Sequence, residues 1–206
     1  MSEGSDLMKV DFYYDLVSPY SYLAYGQIER ICRENGAELV LRPMLLGAVH
    51  KEAGIKSPIE TELKARYQAR DIRRWARYYG VPLMFPDPFP FRTLKTMRAA
   101  MFLRERGGLE AFTEAAFAHY WEEGGAPKGF DEADEEAPIS TVATRIGADP
   151  GEVLEGAASQ EAKQGLKDAT SEALQRGVFG APAFFVGDEM FWGNDRLEFV
   201  AQALAE

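Results

Sequence analysis

Among 206 residues there is one cysteine, Cys32, so no disulfide can close within the chain. Histidine is nearly as scarce. His50 and His119 stand alone, without paired cysteines or an E-x-x-H spacing, which argues against a zinc site. No run approaches the roughly 18 apolar residues of a membrane span. The opening MSEGSDLMKV lacks the apolar stretch of a secretion signal, so the cytoplasm is the expected location. Basic residues are in deficit, 23 Lys and Arg against 33 Asp and Glu, a net charge of −10. That balance disfavours nucleic acid, whose phosphates need clustered cations, although a local positive pocket for a small anion remains open. With 46 % hydrophobic and 27 % charged residues, the chain reads as a soluble globular protein. Its length suits one domain, or one domain carrying an insertion.

What is present is a patterned order of elements. Residues 8–14 read as a buried strand, broken by Asp15, Ser18 and Pro19. From Tyr20 the apolar positions Leu23, Ala24, Ile28, Ile31 and Cys32 fall on one helical face. Ser18 suits the N-cap, Pro19 the first helical position and Gly36 the stop. Residues 38–43 alternate as a strand, giving β-α-β and hence a parallel pair. Residues 45–57 read as irregular. Helices are expected over 60–79, 92–106, 109–123, 138–147, 149–157 and 159–176. In the 60–79 helix Leu63, Tyr67, Ile72, Trp75 and Tyr79 share one side. Residues 81–91 hold four prolines and exclude a regular helix. The acidic run within 124–137 reads as a solvated loop. Residues 183–186 and 189–192 form a hairpin about Gly187-Asp188, and a helix with Leu197, Val200, Ala201 and Leu204 inward closes the chain. The result is an α/β fold, a thioredoxin-like core (β-α-β … β-β-α) interrupted by an inserted all-helical domain. Residues 8–44 and 178–206 make the core and 45–177 the insertion.

Three corners carry chemistry. The first is Ser18-Pro19-Tyr20-Ser21, where redox proteins of this architecture hold C-x-x-C. With hydroxyls at both sulfur positions, dithiol exchange is impossible. The helix N-terminus still presents free N–H groups and about half a positive charge. That field, with a hydrogen bond from Ser18, would stabilise a thiolate brought by a ligand; the plainer alternative is that Ser18 only caps the helix. The second corner is Gly180-Ala181-Pro182. A cis bond before Pro182 would aim the Ala181 backbone at the first corner, ready to pair with an extended peptide; otherwise Pro182 merely opens an edge strand. The third is Gly193-Asn194-Asp195, which either caps the last helix or holds a ligand's ammonium and carboxylate.

In combination these segments resemble a known family. VDFYYDLVSPYSYLA, RRWARYYGVPLMFP and GVFGAPAFFVGDEMFWGNDRLEF are similar, in this order and over nearly the whole chain, to the 2-hydroxychromene-2-carboxylate isomerases. Kappa-class glutathione transferases and DsbA-type oxidoreductases belong to the same superfamily. The resemblance implies glutathione as cofactor, a homodimer, and an aromatic or unsaturated carboxylate from aromatic-compound catabolism as substrate. It assigns Ser18 to the glutathione sulfur, as the catalytic hydroxyl. Ala181, beside Pro182, would pair with the cysteinyl backbone, and Trp192, Gly193, Asn194 and Asp195 would hold the γ-glutamyl end. Valine is usual where this chain has Ala181, an exchange a backbone contact tolerates.

The departures lie where substrate should sit. His50, with Lys51 beside it, stands where naphthalene-pathway members carry lysine. Ile55, followed by Lys56, and Pro88 each replace an asparagine. His50, Lys56 and Phe89 are therefore the candidate substrate contacts. His50 can bind a carboxylate or act as acid–base, or it can be a packing histidine. Phe89 and Phe91 suit the wall of an aromatic pocket. Lys64 and Arg66 supply either a positive rim or plain solvated charge. Three functions compete: a glutathione-dependent isomerase, a kappa-like glutathione transferase, and a glutathione-binding module without catalysis. Ser18 and Ser21 exclude a disulfide oxidoreductase.

Overall fold

The parallel pair expected at the start forms in register, Lys9 opposite Glu38 through Tyr14 opposite Pro43. The computed structural model describes residues 7–57 and 61–206. Four strands, β1 (Lys9–Tyr14), β2 (Glu38–Pro43), β3 (Ala183–Val186) and β4 (Glu189–Trp192), lie in the order β2-β1-β3-β4. β3 runs antiparallel to β1, and β4 to β3. Helix α1 (Pro19–Glu34) joins β1 to β2 and α9 (Leu197–Ala203) follows β4. Between β2 and β3 come α2 (Leu46–Glu52), α3 (Glu62–Tyr79), α4 (Leu94–Arg104), α5 (Leu109–Trp121), α6 (Glu136–Arg145), α7 (Pro150–Ala158) and α8 (Gln160–Gln175). This is the expected order, β-α-β, helices, then β-β-α. Among the described residues no helix is long and apolar enough to cross a membrane.

The helix starts follow the sequence where a cap is local. Ser18 Oγ accepts from Ser21 N ahead of α1, and Asp149 and Ser159 do the same for α7 and α8. Phe12 lies between Tyr14 and Phe184, with ring centroids 5.2 and 5.1 Å away. All three are fully buried, each worth roughly 2–3 kcal/mol. One hydrophobic cluster runs from these strand residues through α1 into α4, α5, α6 and α7.

Two expectations are corrected. Residues 45–57 are not irregular throughout, because α2 occupies Leu46–Glu52. Its N-cap, Leu45, offers no side-chain acceptor. The missing cap comes from Asp15 Oδ2, which accepts from Leu46 N at 2.8 Å across 31 positions of sequence. The acidic run is also not simply solvated. Asp131 caps a 3-10 turn at Glu132–Glu135, and this turn carries Glu135 to a fully buried position. There its carboxylate accepts from Lys95 N, Thr96 N and Thr96 Oγ1 at 3.1, 2.8 and 2.8 Å. It serves as the remote N-terminal acceptor for α4, whose own N-cap Thr93 makes no cap bond.

The proline-rich stretch 81–91 forms no helix or strand. Its Asp87-Pro88 and Phe89-Pro90 bonds are cis. Phe85, Phe89 and Phe91 pack around Trp121 at ring distances of 6.1, 5.9 and 5.8 Å. In α3, Ile72 and Ala76 are buried, but Leu63 and Tyr67 are 76 % and 62 % exposed. The apolar stripe of that helix leaves the core at its first turns and borders a cavity instead.

Candidate active site

The cavity holds about 1080 Å³ and opens over the N-terminus of α1. Ser18 and Tyr20 form one wall, Ala181 and Trp192 a second, and His50, Ile55 and Lys56 a third. Leu63, Lys64 and Tyr67 of α3 and Phe89 to Leu94 ahead of α4 complete it. Ser18, Ala181, Trp192, His50, Lys56 and Phe89 are thus brought together. Pro182 and Gly193 sit just behind that lining: the Ala181-Pro182 bond is cis, and Gly193 N donates to Pro182 O at 3.0 Å. Asn194 and Asp195 border a separate cavity of about 570 Å³, between α1, α3 and α9. Asn194 is buried, with its carbonyl accepting from Tyr79 OH at 2.8 Å. Asp195 is exposed and paired with Arg196 at 2.5 Å.

Ser18 has a single proton to give. Its Oγ donates to Ala181 O at 3.1 Å while accepting from Ser21 N at 3.2 Å. The two corners expected to meet are therefore joined directly. Donating to a ligand thiolate would mean surrendering the bond to Ala181. Ser21 Oγ, at the second sulfur position, is fully buried and has no hydrogen-bond partner among the described residues. Tyr20 OH donates to Asp71 Oδ2 at 2.9 Å, tying α1 to α3. Burial and that carboxylate push the phenol up from its ordinary range. Cys32 lies at the far end of α1, is buried, and is pushed up to about 11 by desolvation, so it stays a thiol at neutral pH. His119, on α5, makes an i, i+4 contact with Glu123 at 3.1 Å and takes no part in the cavity. Among the described residues no cluster of His, Cys, Asp or Glu could hold a metal ion.

Trp192 is half exposed and packs on Phe179 at 4.9 Å between ring centroids. A Cβ at Gly180 would lie 2.6 Å from the Trp192 Nε1, so glycine is required for the indole to fold down there. At Gly193, φ is +101° and a Cβ would meet Asp195 Oδ1 at 2.5 Å. Backbone strain disfavours other residues at that turn, while the exposed Asp195 carboxylate is free to swing aside from a Cβ.

The charge of the lining inverts that of the whole chain. Lys56, Lys64 and Arg92 face the cavity, and Asp15 is the one carboxylate among its described lining residues. Asp15 was visible in the sequence only as a break after the first strand. It is 1 % exposed and accepts three hydrogen bonds: Val17 N at 3.1 Å, Leu46 N at 2.8 Å and Thr93 Oγ1 at 2.7 Å. Desolvation pushes its carboxyl up to about 6, against the downward pull of those donors; nearby Glu135 adds a smaller upward push. A folded-state value above the unfolded one means that folding favours the proton. The stability due to neutral Asp15 is therefore fully present below about pH 4 and lost as pH rises through about 6. The wild-type protein should lose about 2 kcal/mol relative to Asp15→Asn between pH 4 and 7. Denaturant titrations at several pH values measure this, and a pH-independent difference would show that Asp15 does not titrate in that window.

Comparisons with known proteins agree with this architecture. The family described as DSBA-like thioredoxin domain matches residues 9–205. The 2-hydroxychromene-2-carboxylate isomerase of Sphingobium xenophagum is 35 % identical over 96 % of this chain and 98 % of its own. Glutathione S-transferase kappa 1 of Homo sapiens is 30 % identical over 96 % of this chain and 91 % of its own. A solved 2-hydroxychromene-2-carboxylate isomerase structure superposes with a TM-score of 0.83 at 30 % identity, covering 96 % of this chain and 95 % of that one.

Proposed function

Because this chain belongs to the family of DsbA-like thioredoxin domains, and its relatives include isomerases and kappa transferases, we propose that it is a glutathione-dependent isomerase of the 2-hydroxychromene-2-carboxylate type. What carries the proposal is the meeting of Ser18 Oγ with the Ala181 backbone, 3.1 Å apart, in the wall of a cation-lined apolar cavity. The α1 N-terminus, capped by Ser18 at the cavity wall, favours an anionic group there. When bound, glutathione would supply a thiolate that adds reversibly to a conjugated carbon of the substrate, frees the bond to rotate, and is regenerated unchanged.

The residues of the chain divide the remaining work. Ser18 turns its proton from Ala181 O towards the sulfur, and the α1 dipole supports the negative charge. The Ala181 backbone holds the cysteinyl unit as an added strand would be held. Trp192 covers it, and the γ-glutamyl end would reach past it to Gly193 and on to Asn194 and Asp195 at the rim of the neighbouring cavity, where Asp195 lies near enough to act on Tyr20 of the main cavity. Lys56, together with His50 on the same wall, receives the substrate carboxylate, while Phe89 offers a ring face to the aromatic part. In apolar surroundings those contacts are worth more than in water. A cytoplasmic homodimer belongs to the same proposal, on the strength of the family resemblance.

Mixing the protein with glutathione and 2-hydroxychromene-2-carboxylate tests this. Turnover with glutathione undiminished supports the isomerase. Loss of glutathione into a thioether makes it a transferase. The absence of binding heat at millimolar glutathione removes both. Within the same titration, Asp195→Ala should weaken glutathione at least tenfold, as expected for loss of one charged hydrogen bond of about 1.5–3 kcal/mol. A change below about twofold would leave Asp195 only as the partner of Arg196.

A further inference from the structure

The carboxylate of Asp15 touches three different walls of the cavity. Through Val17 N it closes the turn that leads into α1, and its backbone oxygen accepts from Ser18 N at 3.0 Å. Through Leu46 N it caps α2, the helix that carries His50. Through Thr93 Oγ1 it holds the residue that begins α4. No other side chain described in the cavity wall joins three helix N-termini in this way. An ionised carboxylate so deeply buried costs stability, and its charge opposes both a thiolate and a carboxylate substrate in the space above it.

We propose that Asp15 is a positioning residue, whose ionised carboxylate holds the Ser18 corner and the α2 and α4 walls at the spacing the anionic substrate requires. This inference rests on the functional reading above. Its physical basis is the number of acceptor sites. An ionised carboxylate accepts from all three donors at once, while a proton on either oxygen competes with a backbone N–H for that oxygen and loosens the wall it holds, since of the three donors only Thr93 Oγ1 can reverse its role and accept.

Charge and geometry make opposite forecasts. Were Asp15 only a buried anion, removing its charge would tighten an anionic substrate. If it positions the walls, removing its charge loosens binding. Other groups near it keep the two apart. Tyr14 on β1, Tyr20 on α1 and Tyr120 on α5 stay neutral across pH 5–8, their phenols raised by burial. Arg92 ahead of α4 stays charged. Glu135, ahead of α6, is raised by burial and becomes less anionic on acidification. Protonation of His50, on α2, would add positive charge. Protonating His50 would favour an anion, the sense opposite to the one proposed. Protonating Glu135 would loosen its own hold on Lys95 N and Thr96 N at the start of α4, so the Val17 and Leu46 amides, which bond to Asp15, assign the effect to Asp15.

The test follows KM for 2-hydroxychromene-2-carboxylate from pH 5 to 8 at saturating glutathione. In parallel, the amide NMR shifts of Val17 and Leu46 are followed in the ligand-free protein. In the wild type, KM should rise about fivefold from pH 6 to pH 5, as expected when one group titrating at about 6 must be ionised, and both amides should titrate over the same range. Asp15→Asn should raise KM about tenfold at pH 7.5 and abolish both pH dependences, while kcat changes less than KM. Thr93→Val keeps the carboxylate but removes a donor that favours its charge. It should move both bends up by about one pH unit, and it decides the matter if Asp15→Asn fails to fold. An Asp15→Asn enzyme with KM equal to or below the wild-type value, or Thr93→Val bends that stay in place, would overturn the role of Asp15 alone. A wild-type protein that neither binds glutathione nor turns over the substrate would overturn the functional reading, and this inference with it.

Discussion

Ser18→Ala should lower turnover of 2-hydroxychromene-2-carboxylate by about two to three orders of magnitude, the usual cost of removing a preorganised donor to developing negative charge. The fold should survive. Ser18 Oγ makes one cap bond to Ser21 N and one bond to Ala181 O, and the loss of a serine cap costs about 1 kcal/mol. That is at most a few degrees in a chain of this size. The signature is a split: melting nearly unchanged, while the ultraviolet thiolate absorbance of bound glutathione disappears near neutral pH. Thiolate absorbance at wild-type strength in Ser18→Ala would remove the hydroxyl from the chemistry and leave it as a cap.

The largest stability effect is expected far from that hydroxyl. Glu135→Ala should destabilise the protein by about 3–5 kcal/mol, the cost of breaking a buried, hydrogen-bonded charge site, and lower Tm by about 10 °C. The substitution strands Lys95 N and Thr96 N at the start of α4 together with Thr96 Oγ1. It also takes from Arg92 a carboxylate 3.4 Å from its Nε. Glu132→Ala, three residues earlier in the same run, removes only exposed contacts to Arg92 and Arg98 and should cost under about 1 kcal/mol. Thermal melts of the two variants side by side test the contrast. Equal, small shifts would mean that Glu135 is satisfied by solvent.

That contrast also marks the boundary of what a reader of residues could see. Elements announced by local chemistry were legible: Ser18-Pro19 before α1, Asp149-Pro150 before α7, and Gly187-Asp188 between β3 and β4 all stand where expected. The corners at Ser18 and Ala181 were legible too, because the strand order forces them together, and they meet through a hydrogen bond. What stayed hidden depends on distant partners. Helix α2 has no cap of its own and borrows one from Asp15; α4 borrows one from Glu135. Neither Asp15 nor Glu135 differs in the sequence from a surface acid, since burial is decided by chain segments tens of residues away. Tyr67 and Leu63 misled in the opposite direction. Their helical spacing is real, but the apolar face they share borders a cavity rather than the core. Asn194 and Asp195 adjoin Trp192 in sequence yet border a separate hollow, a distinction that spacing along a chain does not carry.

The stretch from Val81 to Phe91 has one more implication. Phe85, Phe89 and Phe91 are held by edge-to-face and tilted ring contacts about Trp121 instead of by a ladder of main-chain bonds. A boundary made of interchangeable discs can be recontoured by swapping one disc, with no helix or sheet unzipped in the process. Selection could thus retune which molecules such an enzyme accepts through single substitutions here, leaving the Ser18 corner as it was.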